Sequence, residues 1–391
     1  MSAPGLAFAL RTARLDPATH PFLAGVQARL RGPTVQGSAI DEAIERLRAG
    51  AALDASSARA ACLELMAGTA ADEHAGALLA LLAPETLTAE TIAAFARVMR
   101  EHATPVRPRL APGAPLLDTC GTGGDGLGTF NISTTAAFVV AAAGVAVAKH
   151  GNRAATSRSG SADVLEALGV RIDLDAEQVA RCIEDVGVGF MFAQSFHPAY
   201  RNVQRIRQRL TQEALPGVPA RTVFNILGPL ANPAAATHQV LGVSVATLVP
   251  TLATVLGHLG VVRALVVCGE TDRAGVGIDE VSTSGPTQAV ELAHGFCTPL
   301  VVSAEALGLP RVPVQALEGG DAAHNARIIE AILCGVDDSP RRDVVVVNAA
   351  AALYVAGVCA SLAEGIAQSR DLVASGAAYR RLDALREASH G

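Results

Sequence analysis

A chain of 391 residues with 50% hydrophobic and 17% charged content carries enough apolar material for a large buried core, which excludes disorder as its default state. Its formal net charge of -6 gives no overall attraction to nucleic acid or to an anionic membrane surface, whereas a small anionic ligand needs only local cations. The most apolar stretches are broken by Gly, Pro or Arg within a few turns, so no membrane span is expected, and seven cysteines scattered without CxxC pairs argue against a zinc site or a disulfide framework and fit a reducing cytoplasm.

Residues 1–35 hold four arginines against one acid, Asp16, and lack a sustained apolar run; they are expected to form an N-terminal extension and not a secretory signal. From Ser38 to His102 the pattern is helical. Ile40, Ile44 and Leu47 share a face, and helical stretches follow at 60–66, 75–82 and 89–99, which predicts a small bundle of short helices, taken as a domain over 36–108. The proline-rich VRPRLAPGAP at 106–115 punctuates the chain, and strand and helix signals alternate beyond it, giving a large α/β domain over 109–391. Buried strands are expected at 145–148, 222–226, 240–243, 264–267 and 343–347, with helices at 134–143 and 248–259 among the intervening segments.

The stretch GTGGDG at 121–126 has the spacing of a dinucleotide-binding turn but not its context. The helix does not open until Ser133, the expected N-cap, and the next strand ends at Lys149 and His150, where a ribose-binding acid should stand. No Gly-Lys-Ser/Thr closes a P-loop either. What the stretch does supply is a dense set of backbone N–H groups, followed by Asn131, Ser133 and Thr134 at a helix N-terminus, which suits anionic oxygens. A helix N-terminus contributes only about 0.3–1 kcal/mol toward an anion, so a phosphate group needs further cations. They follow in KHGNRAATSRSGS at 149–161, as Lys149, Arg153 and Arg158. Of the 31 basic residues only Lys149 is lysine, which points to a position that requires a compact ammonium. Far downstream, Asp279 and Glu280 stand side by side in GIDEVSTSGPT: either a solvated acidic pair or, beside a phosphate cradle, carboxylates for Mg²⁺ bridging a diphosphate.

These motifs, DTCGTGGDGLGTFNIST, AKHGNR, SGSADVLEALGV, HPAYRNVQRIR, RTVFNILGPLANP, GIDE and VNAAAALYVAG, resemble in this order the anthranilate phosphoribosyltransferase family, from about residue 38 to the C-terminus. The resemblance implies a small all-helical domain, completed by a segment near 195–220, and a large α/β domain of the nucleoside phosphorylase type, its central mixed sheet flanked by helices, with the active site between the two domains of each subunit of a cytoplasmic homodimer. It implies transfer of the phosphoribosyl group of phosphoribosyl pyrophosphate to the amine of anthranilate, releasing pyrophosphate in tryptophan biosynthesis, with Mg²⁺ as cofactor at two ions per subunit. Phosphoribosyl pyrophosphate would be bound by Gly121, Gly124, Asp125, Thr129, Asn131, Ser133, Thr134, Lys149, Gly151, Ser157 and Ser161. Anthranilate would be bound by Gly121, His150, Asn152 and Arg207, and the metal by Ser133, Asp279 and Glu280. Lys149, Asp279 and Glu280 form the expected catalytic set, with no general base among them and no nucleic-acid or membrane partner.

One departure bears on the acceptor. After Arg207 the chain reads QRLTQEALPGVPA, longer than the family's usual link, which is either a lengthened turn or a reshaped pocket for a different aromatic amine. Two alternatives fit less well: a fold-related pyrimidine nucleoside phosphorylase is disfavoured by the glycine loop and acid pair, and a non-catalytic nucleic-acid-binding paralogue by the acidic charge and the retained Asp279 and Glu280.

Overall fold

A computed structural model describes residues 38–154, 158–212 and 221–391; the expected N-terminal extension, most of the insertion after Arg207, and Ser157 lie outside the described residues. The chain divides into two compact units, one of residues up to Leu87 with Ala199–Val223, the other of Thr88–Pro198 with Phe224–Gly391.

The smaller unit is built from helices α1 (Ala39–Arg48), α2 (Ala55–Ala67), α3 (Asp72–Leu81) and α8 (Tyr200–Gln212). Ser38 caps α1 and Asp54 caps α2, each accepting a backbone N–H from the first turn of its helix, which starts these short helices where the sequence places them. α2 stops at Gly68 in the left-handed region, and the missing side chain there lets Asn202 of α8 dock and donate to the Met66 carbonyl at 2.8 Å. α8 buries Val203 and Ile206, three residues apart on one face, while Arg205 and Arg209 pair with Asp72.

In the larger unit α4 (Ala89–Glu101) precedes the proline-rich segment in sequence, yet its apolar face packs here: Phe95 meets Phe224 edge-on, and Arg100 donates to the Leu230 carbonyl at 2.7 Å. The remaining elements in chain order are β1 (Leu116–Gly121), α5 (Ile132–Ala142), β2 (Ala146–Gly151), α6 (Ser161–Ala167), α7 (Ala176–Arg181), β3 (Val188–Phe192), β4 (His238–Gly242), α9 (Val249–His258), β5 (Arg263–Glu270), β6 (Gly277–Ile278), β7 (Thr287–Ala293), β8 (Phe296–Val302), α10 (Ala322–Leu333), α11 (Pro340–Val355), α12 (Leu362–Ala374) and α13 (Ala377–His390).

The strands form one mixed sheet in the order β3-β2-β1-β4-β5-β7-β8, parallel from β3 to β5 and antiparallel beyond, with β6 paired to β5. The mixed sheet flanked by helices is the architecture expected from the sequence. From β1 the chain moves to β2 and β3 on one side and then returns to β4 on the other, so the carboxyl end of β1 is a topological switch point, where a crevice opens in such sheets.

Two expected strands are corrected. Residues 222–226 form a short 3-10 turn at Val223–Asn225, and 343–347 lie inside α11. Both are brief apolar runs without alternation, a pattern that buried helix and buried strand share. α11 is started by Ser339 as N-cap and Pro340 in its first turn, and it is buried nearly all round, so its period of 3.6 leaves no polar stripe.

Candidate active site

The glycine loop leaves the carboxyl end of β1, and its first glycine answers to a residue from the far side of the sequence. Gly121 is paired with Gly242 in the β1–β4 register. A Cβ on Gly121 would stand 2.0 Å from Oδ2 of Asp279, and one on Gly242 would stand 1.7 Å from the Asp279 carbonyl oxygen. The two glycines together make the slot that admits Asp279. Its carboxylate then accepts the Gly123 N–H at 2.7 Å. Gly123, Gly124, Gly126 and Gly128 all have positive φ, a run that side chains rarely tolerate, and Asp125 turns the loop by accepting the Leu127 N–H at 3.0 Å. Beyond the turn, Thr129 bridges to Glu318, and the Asn131 amide oxygen accepts from Asn325 at 3.0 Å while its Nδ2 donates to the Ser159 carbonyl.

α5 opens one turn from the loop. Its N-cap is Asn131 and not the expected Ser133, because helical geometry starts at Ile132; the Asn131 side chain is engaged elsewhere and makes no cap bond. Glu280 reaches that end of the helix and accepts the Ser133 N–H at 3.1 Å, where the positive end of the helix dipole favours a carboxylate. Thr134, in the first turn, is buried. Lys149, on β2, is 3% exposed; its ammonium donates to the Thr119 carbonyl at 2.5 Å and to Ser133 Oγ at 3.4 Å. Beneath it Asp118 is fully buried, held by Asn232 Nδ2 at 2.8 Å, by the His150 N–H and by the Cys120 thiol. Asp118 opens the motif DTCGTGGDGLGTFNIST and Asn232 lies near the end of RTVFNILGPLANP, but the sequence reading assigned neither a role.

The electrostatics of this centre follow from packing charges where water is scarce. Burial lowers the Lys149 pKa, against the charges of Asp118, Cys120 and Glu280. Burial and then the neighbouring Asp279 push Glu280 up to about 8; burial and then Asp125 push Asp279 up to about 6. Half-buried carboxylates that repel one another, with backbone N–H groups and one ammonium as their counterweight, are a donor set that a divalent cation satisfies. Among the described residues no group of three or more His, Cys, Asp or Glu could by itself hold a metal ion.

The segment after β2 brings together a second group. His150 Nδ1 donates to the Gly228 carbonyl at 3.0 Å, and its ring lies 5.1 Å from that of His197. Burial holds His150 down to about 3 and His197 down to about 4, so both are neutral, and His150 presents Nε2 as an unpartnered acceptor. Gly151 has no room for a Cβ because Ser161 Oγ would lie 2.1 Å from it, and Ser161 Oγ bonds the Asn152 carbonyl at 3.3 Å. Asp163 staples this segment, accepting the Ala154 and Gly160 N–H groups at 2.9 and 2.8 Å and pairing with Arg153. Arg207 sits on α8 of the helical unit, where it donates to the Tyr200 hydroxyl. Thus Gly121, Asp125, Ser133, Lys149, Asp279 and Glu280 are tied into one network by bonds and close approaches, and Gly151, Asn152 and Ser161 into another, while the Asn131 side chain bonds to Asn325 and Ser159. Gly242 was missed by the sequence reading; a glycine ending a strand pattern is a recognisable sign of close backbone approach.

Residues 113–379 match a family model described as the glycosyl transferase family, a/b domain, and residues 41–103 match its helical bundle domain. Among curated relatives, the anthranilate phosphoribosyltransferase of Chloroflexus aurantiacus is 49% identical over 90% of this chain and 99% of its own length, and that of Roseiflexus sp. is 50% identical over 90% and 98%. The crystal structure of anthranilate phosphoribosyltransferase from Thermus thermophilus superposes with a TM-score of 0.81 at 43% identity, covering 90% of this chain and 100% of that one. The enzyme from Saccharomyces cerevisiae in complex with PRPP and Mg superposes at 0.78 and 28% identity, covering 91% and 99%. A slot cut by two glycines for an acid pair, a lone buried lysine and this run of likenesses lead to one assignment: the chain belongs to the anthranilate phosphoribosyltransferase family.

Proposed function

We propose that this protein transfers the phosphoribosyl group of phosphoribosyl pyrophosphate to the amine of anthranilate, giving N-(5-phosphoribosyl)anthranilate and pyrophosphate. The observation that carries the reading is the placement of Asp279 and Glu280 under the glycine loop, each accepting a loop or helix N–H, beside the ammonium of Lys149.

Asp279 and Glu280, with Ser133 Oγ, are the groups to hold Mg²⁺, at two ions per subunit. Bound there, Mg²⁺ supplies positive charge to the diphosphate oxygens. Gly121, Gly124, Asp125, Thr129, Asn131 and Thr134 would cradle the phosphoribosyl pyrophosphate, and Gly151 and Ser161, with Ser157, would take its phosphate oxygens. Lys149 stabilises charge gathering on the leaving group, and burial makes its ammonium more effective than it would be in water. On the acceptor side, neutral His150 and Asn152 would line the ring and amine, and Arg207 suits the anthranilate carboxylate through paired hydrogen bonds.

In the reaction the amine nitrogen's lone pair forms the bond to C1 while the C1–O bond to pyrophosphate breaks and its electrons leave with pyrophosphate; one amine proton passes to solvent. An arylamine is neutral and nucleophilic at pH 7, so the chain's contribution is alignment and leaving-group stabilisation, without a general base. A homodimer and a cytoplasmic setting complete the proposal; no described helix is long and apolar enough to cross a membrane.

The test is loss of anthranilate fluorescence on mixing the protein with phosphoribosyl pyrophosphate and Mg²⁺. Turnover that requires all three components is expected; a folded, metal-replete sample that leaves anthranilate unchanged would overturn the assignment. Light scattering of the purified chain checks the dimer.

A further inference from the structure

The motif VNAAAALYVAG contains one polar residue in an otherwise apolar run, Asn348. Asn348 lies in the interior of α11, 4% exposed, between a run of four valines and a run of four alanines. A buried amide in such a helix costs free energy unless its hydrogen bonds are made. Here they are made chiefly to one residue outside the helix. Asn348 Oδ1 accepts the Val281 N–H at 2.8 Å, and its Nδ2 donates to the Val281 carbonyl at 2.9 Å and to the Val344 carbonyl at 2.9 Å. Val281 is the residue immediately after Glu280.

Upstream, Ile278 is paired with Gly269 in the antiparallel β5–β6 ladder. Asp279 and Glu280 are therefore a two-residue span, held by the sheet at one end and by the Asn348 amide at the other. Asn348 also lines the same small void as Glu280, Ser133 and Thr119. Beyond the clamp the chain is fixed again, with the Ser282 N–H donating to Thr287 Oγ1 at 2.9 Å.

We propose that Asn348 is a positioning residue for the Asp279–Glu280 pair: its two bonds to Val281 set the direction in which both carboxylates face the diphosphate. The inference rests on the assignment of that pair to Mg²⁺, and the experiment separates the two. Asn348→Ser keeps a hydroxyl able to bond the Val344 carbonyl one turn earlier but cannot clamp Val281. In this variant the half-saturating Mg²⁺ concentration should rise by about tenfold or more while the KM for anthranilate stays within about twofold. Calorimetric binding of phosphoribosyl pyrophosphate should weaken by the same factor with Mg²⁺ present and stay unchanged without it. In the wild-type chain the Val281 amide should exchange with deuterium as slowly as the β5 core amides, a measurement that holds even if the variant folds poorly. A folded Asn348→Ser protein with wild-type Mg²⁺ dependence, or a Val281 amide that exchanges like an open loop, overturns the proposal. If a variant with both Asp279→Ala and Glu280→Ala keeps its Mg²⁺ dependence, the metal assignment itself fails and takes the clamp with it; if that variant loses it and Asn348→Ser does not, the clamp alone fails.

Discussion

At the scale of single residues, the site is shaped by what two glycines leave out. Gly121→Ala would thrust a Cβ against a carboxylate that can rotate away, whereas Gly242→Ala would thrust one against Asp279 backbone. The two should therefore separate in effect. Gly121→Ala is expected to lower kcat/KM for phosphoribosyl pyrophosphate by about tenfold or more with little change in melting temperature, since it displaces the Asp279 carboxylate and not the backbone. Gly242→Ala is expected to cost stability as well, about 1–3 kcal/mol, read from denaturant unfolding. The acid pair adds a pH signature. The folded values of Asp279 and Glu280, about 6 and about 8, lie above those of an unfolded chain, about 4, so the stability they contribute is full below about pH 4 and is lost as pH rises from there through 6 and 8. Thermal melts of the metal-free protein should fall over that range, Glu280→Gln should flatten the fall, and Mg²⁺ with substrate should reverse it.

At the scale of elements, the parallel strands β1, β2 and β4 deliver the chemistry together because their carboxyl ends lie side by side. β2 carries Lys149 two residues before its carboxyl end, and the Lys149 ammonium fits a slot floored by the Thr119 carbonyl of β1. Lys149→Arg keeps the charge but replaces a point cation with a planar fork, and a loss of about tenfold or more in kcat is expected in a protein whose fold is retained by circular dichroism. The start of α6 is stapled by Asp163, which accepts both the Ala154 and Gly160 N–H groups. Asp163→Ala should cost about 1 kcal/mol, as loss of a helix-start bond does, and should raise the KM for phosphoribosyl pyrophosphate more than that for anthranilate in steady-state kinetics.

At the scale of the whole molecule, the sheet's switch point and the buried histidines tie stability to the same region. His150 and His197 are held neutral, at about 3 and about 4, while an unfolded chain takes up protons near pH 6.5. Their contribution is full above about pH 6.5 and is lost as pH falls toward 4, so His197→Phe should narrow the loss of melting temperature between those values relative to wild type. Much of this organisation was legible in the sequence. The glycine run, the single lysine and the adjacent acids marked out the residues that the fold brings together, because backbone donors, a compact cation and paired carboxylates are each marked by residue type at short spacing. The strands at 145–148, 240–243 and 264–267 were also legible, as short apolar runs between turn signals, while the runs at 222–226 and 343–347 misled because burial on all sides erases the period that tells helix from strand. What the sequence determined by itself was therefore chemistry carried by local pattern: a glycine cradle that is not a dinucleotide fingerprint, and the family to which it belongs. What only the tertiary structure decided was which distant residues that pattern serves. Gly121 and Gly242 are glycines for the sake of Asp279, Asn348 is polar for the sake of Val281, and Asp118 is tolerated in the core because Asn232 and the His150 N–H satisfy it. Those dependencies join residues at least 32 apart in the chain, and they arise from sterics and hydrogen bonding in the folded protein, which leave no mark on the spacing of neighbours along the sequence.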